Sequence, residues 1–315
     1  MTKLKTAASI ALNRSLGLKK DEKVLIITDN DMEDIGEIFY DAAREKNKTN
    51  FLKIPIPKVS GTEPAVNVSE EMKKHDVIVA ATTKSLTHTN AVKEAAKRGA
   101  RVASMPGITK DIMERCISID YKSMAKRTNE IKDILDKGSE VRITTKDGAD
   151  LRFSIKDREA KADSGILKGR GLVGNLPAGE AFIAPVEGTA DGKYIIDGSI
   201  LHKKVDKPIM ITVKKGLAVR IDDGKIAEEL ITTLKEVKDK DAYNIAEIGI
   251  GTNDKAIITG NVLEDEKVLG TAHIALGKNS SFGGTIDVPV HLDGVFKNPT
   301  IYIDDEMVME DGKLT

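Results

Sequence analysis

The chain has 315 residues, long enough on the usual length prior for two domains with substantial cores. Its 49 basic and 50 acidic residues leave a net charge of -1, which argues against a chain-wide electrostatic footprint for nucleic acid or an anionic membrane. Aromatic residues make up 3% and Trp is absent, so base or sugar stacking is not its main business, and the one cysteine, Cys116, allows neither an internal disulfide nor a thiolate metal cage. The opening stretch MTKLKTAASIALNRSLGLKKDEK holds no apolar core of signal-peptide length, and no run of about 18 apolar residues occurs, so a cytoplasmic protein is expected.

Residues 3–16 carry Leu4, Ala7, Ala8, Ala11 and Leu12 at helical spacing. Lys23–Thr28 (KVLIIT) reads as a short buried strand, and Asp29, Asn30 and Asp31 can cap a helix over 32–46 with Ile35, Ile38, Phe39, Ala42 and Ala43 on one face. Further strands are expected at Asn50–Ile56, Asp76–Ala81 and Arg101–Ser104, with a helix, AVKEAAKRGA, closed by Gly99 before the last of them. This alternation predicts an open parallel α/β domain over 1–138, flavodoxin-like or Rossmann-like, with helices on both faces. After a helix over 121–136 the texture changes at Gly138. The segment VRITTKDGADLRFSI is a hairpin signal through Asp147–Gly148, and Asp-Gly pairs recur at 191–192, 197–198, 223–224 and 311–312. Ile209–Val213 and Ala218–Ile221 are β-branched runs, and only 225–237 looks helical. Residues 139–315 are therefore expected to form a mainly antiparallel β domain.

Two phosphate-like motifs fail on context. Gly169-Arg-Gly171-Leu-Val-Gly174 has no clear strand before it, and Pro177 follows where a helix is required, so it reads as a loop. Gly188-Thr-Ala-Asp-Gly192-Lys193 is one residue short of a P-loop, and Tyr194 stands where Ser or Thr is needed. Among the five histidines, His75 and His202 sit beside lysines and are expected at the surface, and His88 reads as a polar loop residue or helix cap.

His273 is the one polarisable group in the apolar run Gly270-Thr-Ala-His-Ile-Ala-Leu-Gly277. His291 and Asp293, two apart in Val-Pro-Val-His-Leu-Asp-Gly, project to one face of an extended segment and can chelate a metal, although the same pattern also makes a hydrogen-bonded surface pair. Glu180 precedes AFIAP, and Glu247 is flanked by aliphatic residues and glycines in IAEIGIG. A carboxylate in an apolar strand is costly to bury without a partner. Taken together, two imidazoles and three carboxylates on such segments of one domain point to a metal site.

These stretches, NLPAGEAFIAPVEGTADG, AEIGIGTN, LEDEKVLGTAHIALG and VPVHLDGV, resemble in order the aminopeptidase T family of metallopeptidases, whose members carry two divalent ions. The resemblance implies that Glu180 is the first carboxylate ligand and a bridge between metals, that Glu247 is the second, and that His273, His291 and Asp293 complete the set. Glu266 aligns with a family glutamate and is expected as a proton-handling base or a supporting residue; a salt bridge with the neighbouring Lys267 is the plainer reading. The implied reaction is removal of N-terminal residues from small peptides by a water activated on two Zn, Co or Mn ions, in a homodimer. The sequence departs from the family where Ser280 replaces a tyrosine seven residues after the motif histidine, and where the stretch between His273 and His291 is shortened. A related branch, dihydroxypyridine dioxygenase, is similar in the His…His-x-Asp part, and implies instead one Fe(II) on His273, His291 and Asp293.

Overall fold

The computed structural model describes residues 2–222 and 224–315, and the chain divides into two compact units, one running up to Ala125 with Gly165–Ala178, the other holding Lys126–Ser164 and Gly179–Thr315. In the first unit five parallel strands lie in the order Thr49–Lys53, Val24–Thr28, Val77–Ala81, Arg101–Ser104, Val173–Asn175. Val24–Thr28 and Val77–Ala81 are buried at every residue, as the centre of a parallel sheet demands. Leu25, Ile27, Ile78, Ala80 and Val102 pack with Val68 and Met72 from the helix Val66–Met72 and with Ala91, Val92 and Ala95 from the helix Asn90–Lys97.

The fifth strand comes from beyond Gly138. Leu172 O accepts from Val102 N at 2.9 Å and Ser104 O from Leu176 N at 3.0 Å, which draws 165–178 back into the first unit. The glycines of the Gly169–Gly174 motif serve this return. A Cβ on Gly171, which has φ +74°, would stand 2.7 Å from Ala96 O, and Gly174 lies inside the strand, so no helix N-terminus follows. His75, expected at the surface, is buried: its Nδ1 lies 2.8 Å from Glu71 O at the end of the helix Val66–Met72.

The second unit is built from two antiparallel sheets. One has eight strands and contains the expected hairpin, Glu140–Thr144 paired with Asp150–Ser154. The other has seven, in the order Lys203–Lys204, Ser199–Ile200, His291–Lys297, Thr271–Gly277, Ile245–Gly251, Glu180–Ile183, Lys161–Asp163. A single apolar core joins them, with Val141, Ile143, Leu151, Phe153 and Ile211 from the first, Ile183, Ile248, Ile250, Ile274 and Phe296 from the second, and Leu230 and Leu234 from the helix Lys225–Glu236. Of the Asp-Gly pairs, 311–312 turns between the strands Glu306–Glu310 and Lys313–Leu314, while 191–192 opens the strand Asp191–Ile196 instead of turning. Asp223, in the 223–224 pair, lies outside the described residues. Among the described residues no helix is long and apolar enough to cross a membrane.

Candidate metal centre

Four neighbouring strands of the seven-stranded sheet carry the candidate ligands, and the pairing register puts all of them on one face. Gly251 pairs with Glu180 and Gly249 with Phe182; Gly249 also pairs with His273, Glu247 with Ala275, Ala275 with Asp293 and Gly277 with His291. Paired residues and residues two apart share a face, so Glu180, Phe182, Glu247, Gly249, His273, His291 and Asp293 all point the same way. The alternate positions, Ala181, Ile183, Ile248, Ile250, Ile274 and Leu276, belong to the apolar core. The small residues of IAEIGIG have a purpose on the polar face. A Cβ on Gly249 would stand 2.1 Å from His273 Cε1, so the imidazole lies over a bare backbone.

His273 Nε2 lies 3.2 Å from Glu247 Oε1 and 3.6 Å from Glu180 Oε2. His291 Nε2 lies 3.4 Å from Glu247 Oε2 and 3.2 Å from Asp293 Oδ1. The donors form two overlapping groups, Glu180–Glu247–His273 and Glu247–His291–Asp293, each with ligand atoms within 4.8 Å of one another. Atoms bound about 2.1 Å from one ion sit roughly 3 Å apart, so the spacing suits coordination. The second coordination sphere fits as well: His291 Nδ1 donates to Lys278 O at 2.7 Å, which turns Nε2 toward the carboxylates as the nitrogen that ligates once it has lost its proton. Glu180 Oε2 and His273 Nδ1 are buried and have no hydrogen-bond partner. This is a donor set able to hold a divalent metal.

Electrostatics follow from crowding. Burial pushes the Glu180, Glu247 and Glu266 carboxyls up, against the pull of Lys267 on Glu180 and Glu266 and of the two imidazoles on Glu247. Burial also opposes charge on the histidines, but Glu247, Asp293 and Glu180 outweigh it and raise His273 to about 9. Asp293 and Glu247 likewise raise His291 to about 10, against its burial. Asp293, despite burial, is held well below the usual carboxylate range by His291 and His273.

The five expected ligands therefore converge. Glu247 belongs to both groups, so it, and not the expected Glu180, spans them. Glu266 stands behind Glu180: both carboxylates engage Lys267, whose side chain is 0% exposed and whose Nζ lies 2.8 Å from Glu180 Oε1. Sequence reasoning gave Lys267 no role beyond that salt bridge, because a lysine after Glu-Asp-Glu reads as solvated; its position directly before the apolar run VLGTAHIALG was the available signal.

It also missed Phe182 and Phe282, which meet edge to face at 5.6 Å, with Phe282 in turn 5.7 Å from the His291 ring. Phe282 sits on a loop fastened by Glu187, whose Oε1 accepts from Asn279 Nδ2 at 2.9 Å and Thr285 N at 2.8 Å, while Arg158 pairs with Glu187 and Gly283 O. Ser280, on the same loop, is exposed and turns to Asp287, 3.3 Å away.

A family model described as NicX, 2,5-dihydroxypyridine 5,6-dioxygenase, matches residues 11–315. The chain belongs to that family. A curated 2,5-dihydroxypyridine 5,6-dioxygenase of Pseudomonas putida KT2440 is 26% identical over 197 residues, which cover 58% of this chain and 56% of that relative's own length. The solved structure of 2,5-dihydroxypyridine dioxygenase from the same organism superposes with a TM-score of 0.86 at 20% identity, covering 100% of this chain and 98% of the other. AmpT from Thermus thermophilus superposes with a TM-score of 0.73 at 16% identity, covering 99% of each chain, and this likeness is one of fold. Both bear out an α/β unit joined to antiparallel sheets.

The NicX match overturns the expected metallo-aminopeptidase, and with it the hydrolase chemistry and small-peptide substrate. The solved structures of a dioxygenase and of AmpT both share this fold, and a shared fold does not specify the reaction. Ser280, which stands at the position of the peptidase tyrosine and bonds to Asp287, was a departure in the sequence that leaned toward the dioxygenase branch.

Proposed function

We propose that the protein is a mononuclear non-haem Fe(II) dioxygenase that opens a dihydroxylated pyridine ring, 2,5-dihydroxypyridine or a close analogue. One observation carries the reading: in a member of the NicX family, two imidazole Nε2 atoms flank Glu247, with Asp293 beside the second. His273, His291 and Asp293 would hold the iron, with Glu247 between the imidazoles. When bound, Fe(II) supplies one-electron chemistry and open positions at which oxygen and a ring can react.

The chain's own residues account for the rest. Glu180 Oε2, buried and without a hydrogen-bond partner, is the acceptor suited to take a proton from a ring hydroxyl, and burial raises its carboxyl toward the range where it can return one. Lys267 fixes the other oxygen of Glu180. Phe182, on the same face, and Phe282, whose ring meets that of His291, offer apolar edges that suit a planar ring.

The test is oxygen consumption by protein loaded anaerobically with Fe(II) and given 2,5-dihydroxypyridine, with loss of the ring's ultraviolet absorption followed in parallel. Equal molar loss of oxygen and ring is expected. Iron-loaded, folded protein that consumes no oxygen with any dihydroxypyridine would overturn the proposal.

A further inference from the structure

Between the strands that carry His273 and His291 lies the loop 278–290, and metal ligation does not explain how it is held. From Lys278 to Asp287 its one buried side chain is polar, Asn279. A loop without an apolar anchor is ordinarily among the first parts of a fold to open. Here a charged group replaces that anchor. Glu187, in the turn after the strand Glu180–Ile183, accepts through Oε1 from Asn279 Nδ2 and Thr285 N, while Arg158 clasps Glu187 Oε2 and Gly283 O together. Asn279 passes the restraint on: its Oδ1 accepts from Ile286 N at 2.9 Å, and its backbone O accepts from Phe282 N at 3.2 Å and Gly284 N at 3.0 Å. A Cβ on Gly284 would stand 2.0 Å from Asn279 Cγ, so the loop closes tightly round that amide. Against its burial, Thr285 N, Asn279 and Arg158 hold the Glu187 carboxyl below the usual carboxylate range, which keeps the clasp charged at neutral pH.

The side chain that this clasp places at the donor cluster is Phe282. Its ring meets Phe182 at 5.6 Å and His291 at 5.7 Å, edge to face in both cases. Phe182 and His291 stand on strands with two others between them, those of Glu247 and His273. Phe282 thus reaches across the sheet to touch both, and it flanks the donors with an apolar ring fastened from three separate parts of the chain. We propose that Phe282 determines which rings the centre accepts, excluding those with bulky substituents, and that Glu187 is the positioning residue that holds it in place. The inference rests on the ring-opening reading above and adds the class of substrate, a small flat dihydroxylated ring without large side groups. Glu187 acts through Asn279 and the loop backbone, touching neither ring nor metal.

The experiment measures equilibrium binding of two probes, 2,5-dihydroxypyridine and the same ring bearing a tert-butyl group, by anaerobic titration calorimetry of Fe(II)-loaded protein. Wild type is expected to bind the parent ring roughly 100-fold more tightly than the larger one. Phe282→Ala should bind the larger ring roughly tenfold or more tightly than wild type does, and the parent more weakly. Glu187→Ala should do the same with Phe282 still present, and in its metal-free form the amides of Phe282, Gly284 and Thr285 should exchange faster with deuterium. Glu187→Gln keeps an acceptor oxygen for Asn279 and Thr285 and should retain most of the wild-type preference. Since Glu187→Ala strands Arg158, Arg158→Met/Glu187→Met serves as a second variant without the stranded charge. Damage to the fold or to the metal would weaken both rings together, so a gain on the larger ring separates positioning from mere support.

No gain on the larger ring in folded Phe282→Ala would overturn the proposal, as would a gain there that both folded Glu187 variants lack. Wild type that binds the two rings equally would sink it too. If metal-loaded wild type binds neither ring, it falls together with the ring-opening reading. The expected preferences in protein that consumes no oxygen would support it while removing only the proposed reaction.

Discussion

Val77–Ala81 in the parallel sheet and Ile245–Gly251 in the antiparallel one are both buried at every residue, yet they are built on opposite principles. VIVAA is apolar on both faces, so burial itself is the stabilising term. IAEIGIG alternates: Ile248 and Ile250 enter a core, while Glu247, Gly249 and Gly251 face the ligand cluster. The difference teaches that a dry interior can hold carboxylates when each meets a counter-charge and when neighbouring positions are stripped to glycine.

Experiments can break this contrast one face at a time. The largest effect is expected from His273→Ala or Asp293→Ala, which should reduce metal retention by more than the roughly 100-fold typical of an outer-shell partner, measured by metal content after gel filtration. Ligand-free variants that keep their metal would end the assignment. Ile274→Ala and Ile78→Ala, on apolar faces of the two sheets, should each lower unfolding stability by about 2–5 kcal/mol, read by denaturant titration, with the ion count per folded chain unchanged. Gly249→Ala mixes the two effects: its methyl would displace the His273 ring, so metal affinity should fall roughly 10–100-fold as stability drops by about 1–3 kcal/mol. A smaller change, under about tenfold in metal affinity, is expected for Phe282→Ala, which removes the ring contact that steadies His291 without removing a donor.

Protonation sharpens the contrast further. His273 and His291 hold their protons to about 9 and about 10 in the folded chain, against an ordinary 6.5. In metal-free protein the stability they contribute is complete below about pH 6.5 and is lost as pH rises through 9 and 10. Ligation needs both Nε2 atoms deprotonated, so metal affinity should climb over the same range and each ion bound near pH 7.5 should release about two protons. Titration calorimetry in buffers of different ionisation enthalpy measures that release; none at all would contradict the assigned charges.

Much of this was legible in the sequence. Glu180, Glu247, His273, His291 and Asp293 announced themselves because ionisable residues in apolar or glycine-rich strands demand a partner, and all five meet. The parallel sheet was readable from KVLIIT and DVIVAA, whose continuous apolar runs suit strands covered on both faces. The return of 173–175 to that sheet was not, since three residues beside a glycine-rich loop carry no periodicity. Lys267 was obscured for a different reason: the apolar run that follows it is a weak local signal, and its counter-charge Glu180 comes from far away in the chain. The reaction was misread because His and carboxylate donors suit a peptidase and an oxygenase alike, and the fold is shared by proteins of both names.

The register of the seven-stranded sheet has a consequence for biogenesis. The strand of Glu180 pairs with that of Glu247 across a long stretch of intervening chain that itself contributes strands to the other sheet. Closing that distant pair is entropically expensive and slow, whereas Glu247, His273, His291 and Asp293 lie on three strands that follow one another in the chain. Assembly of the cluster is therefore staged: the meander can gather four of the five donors locally, and Glu180, with its lysine, joins only when its remote strand docks.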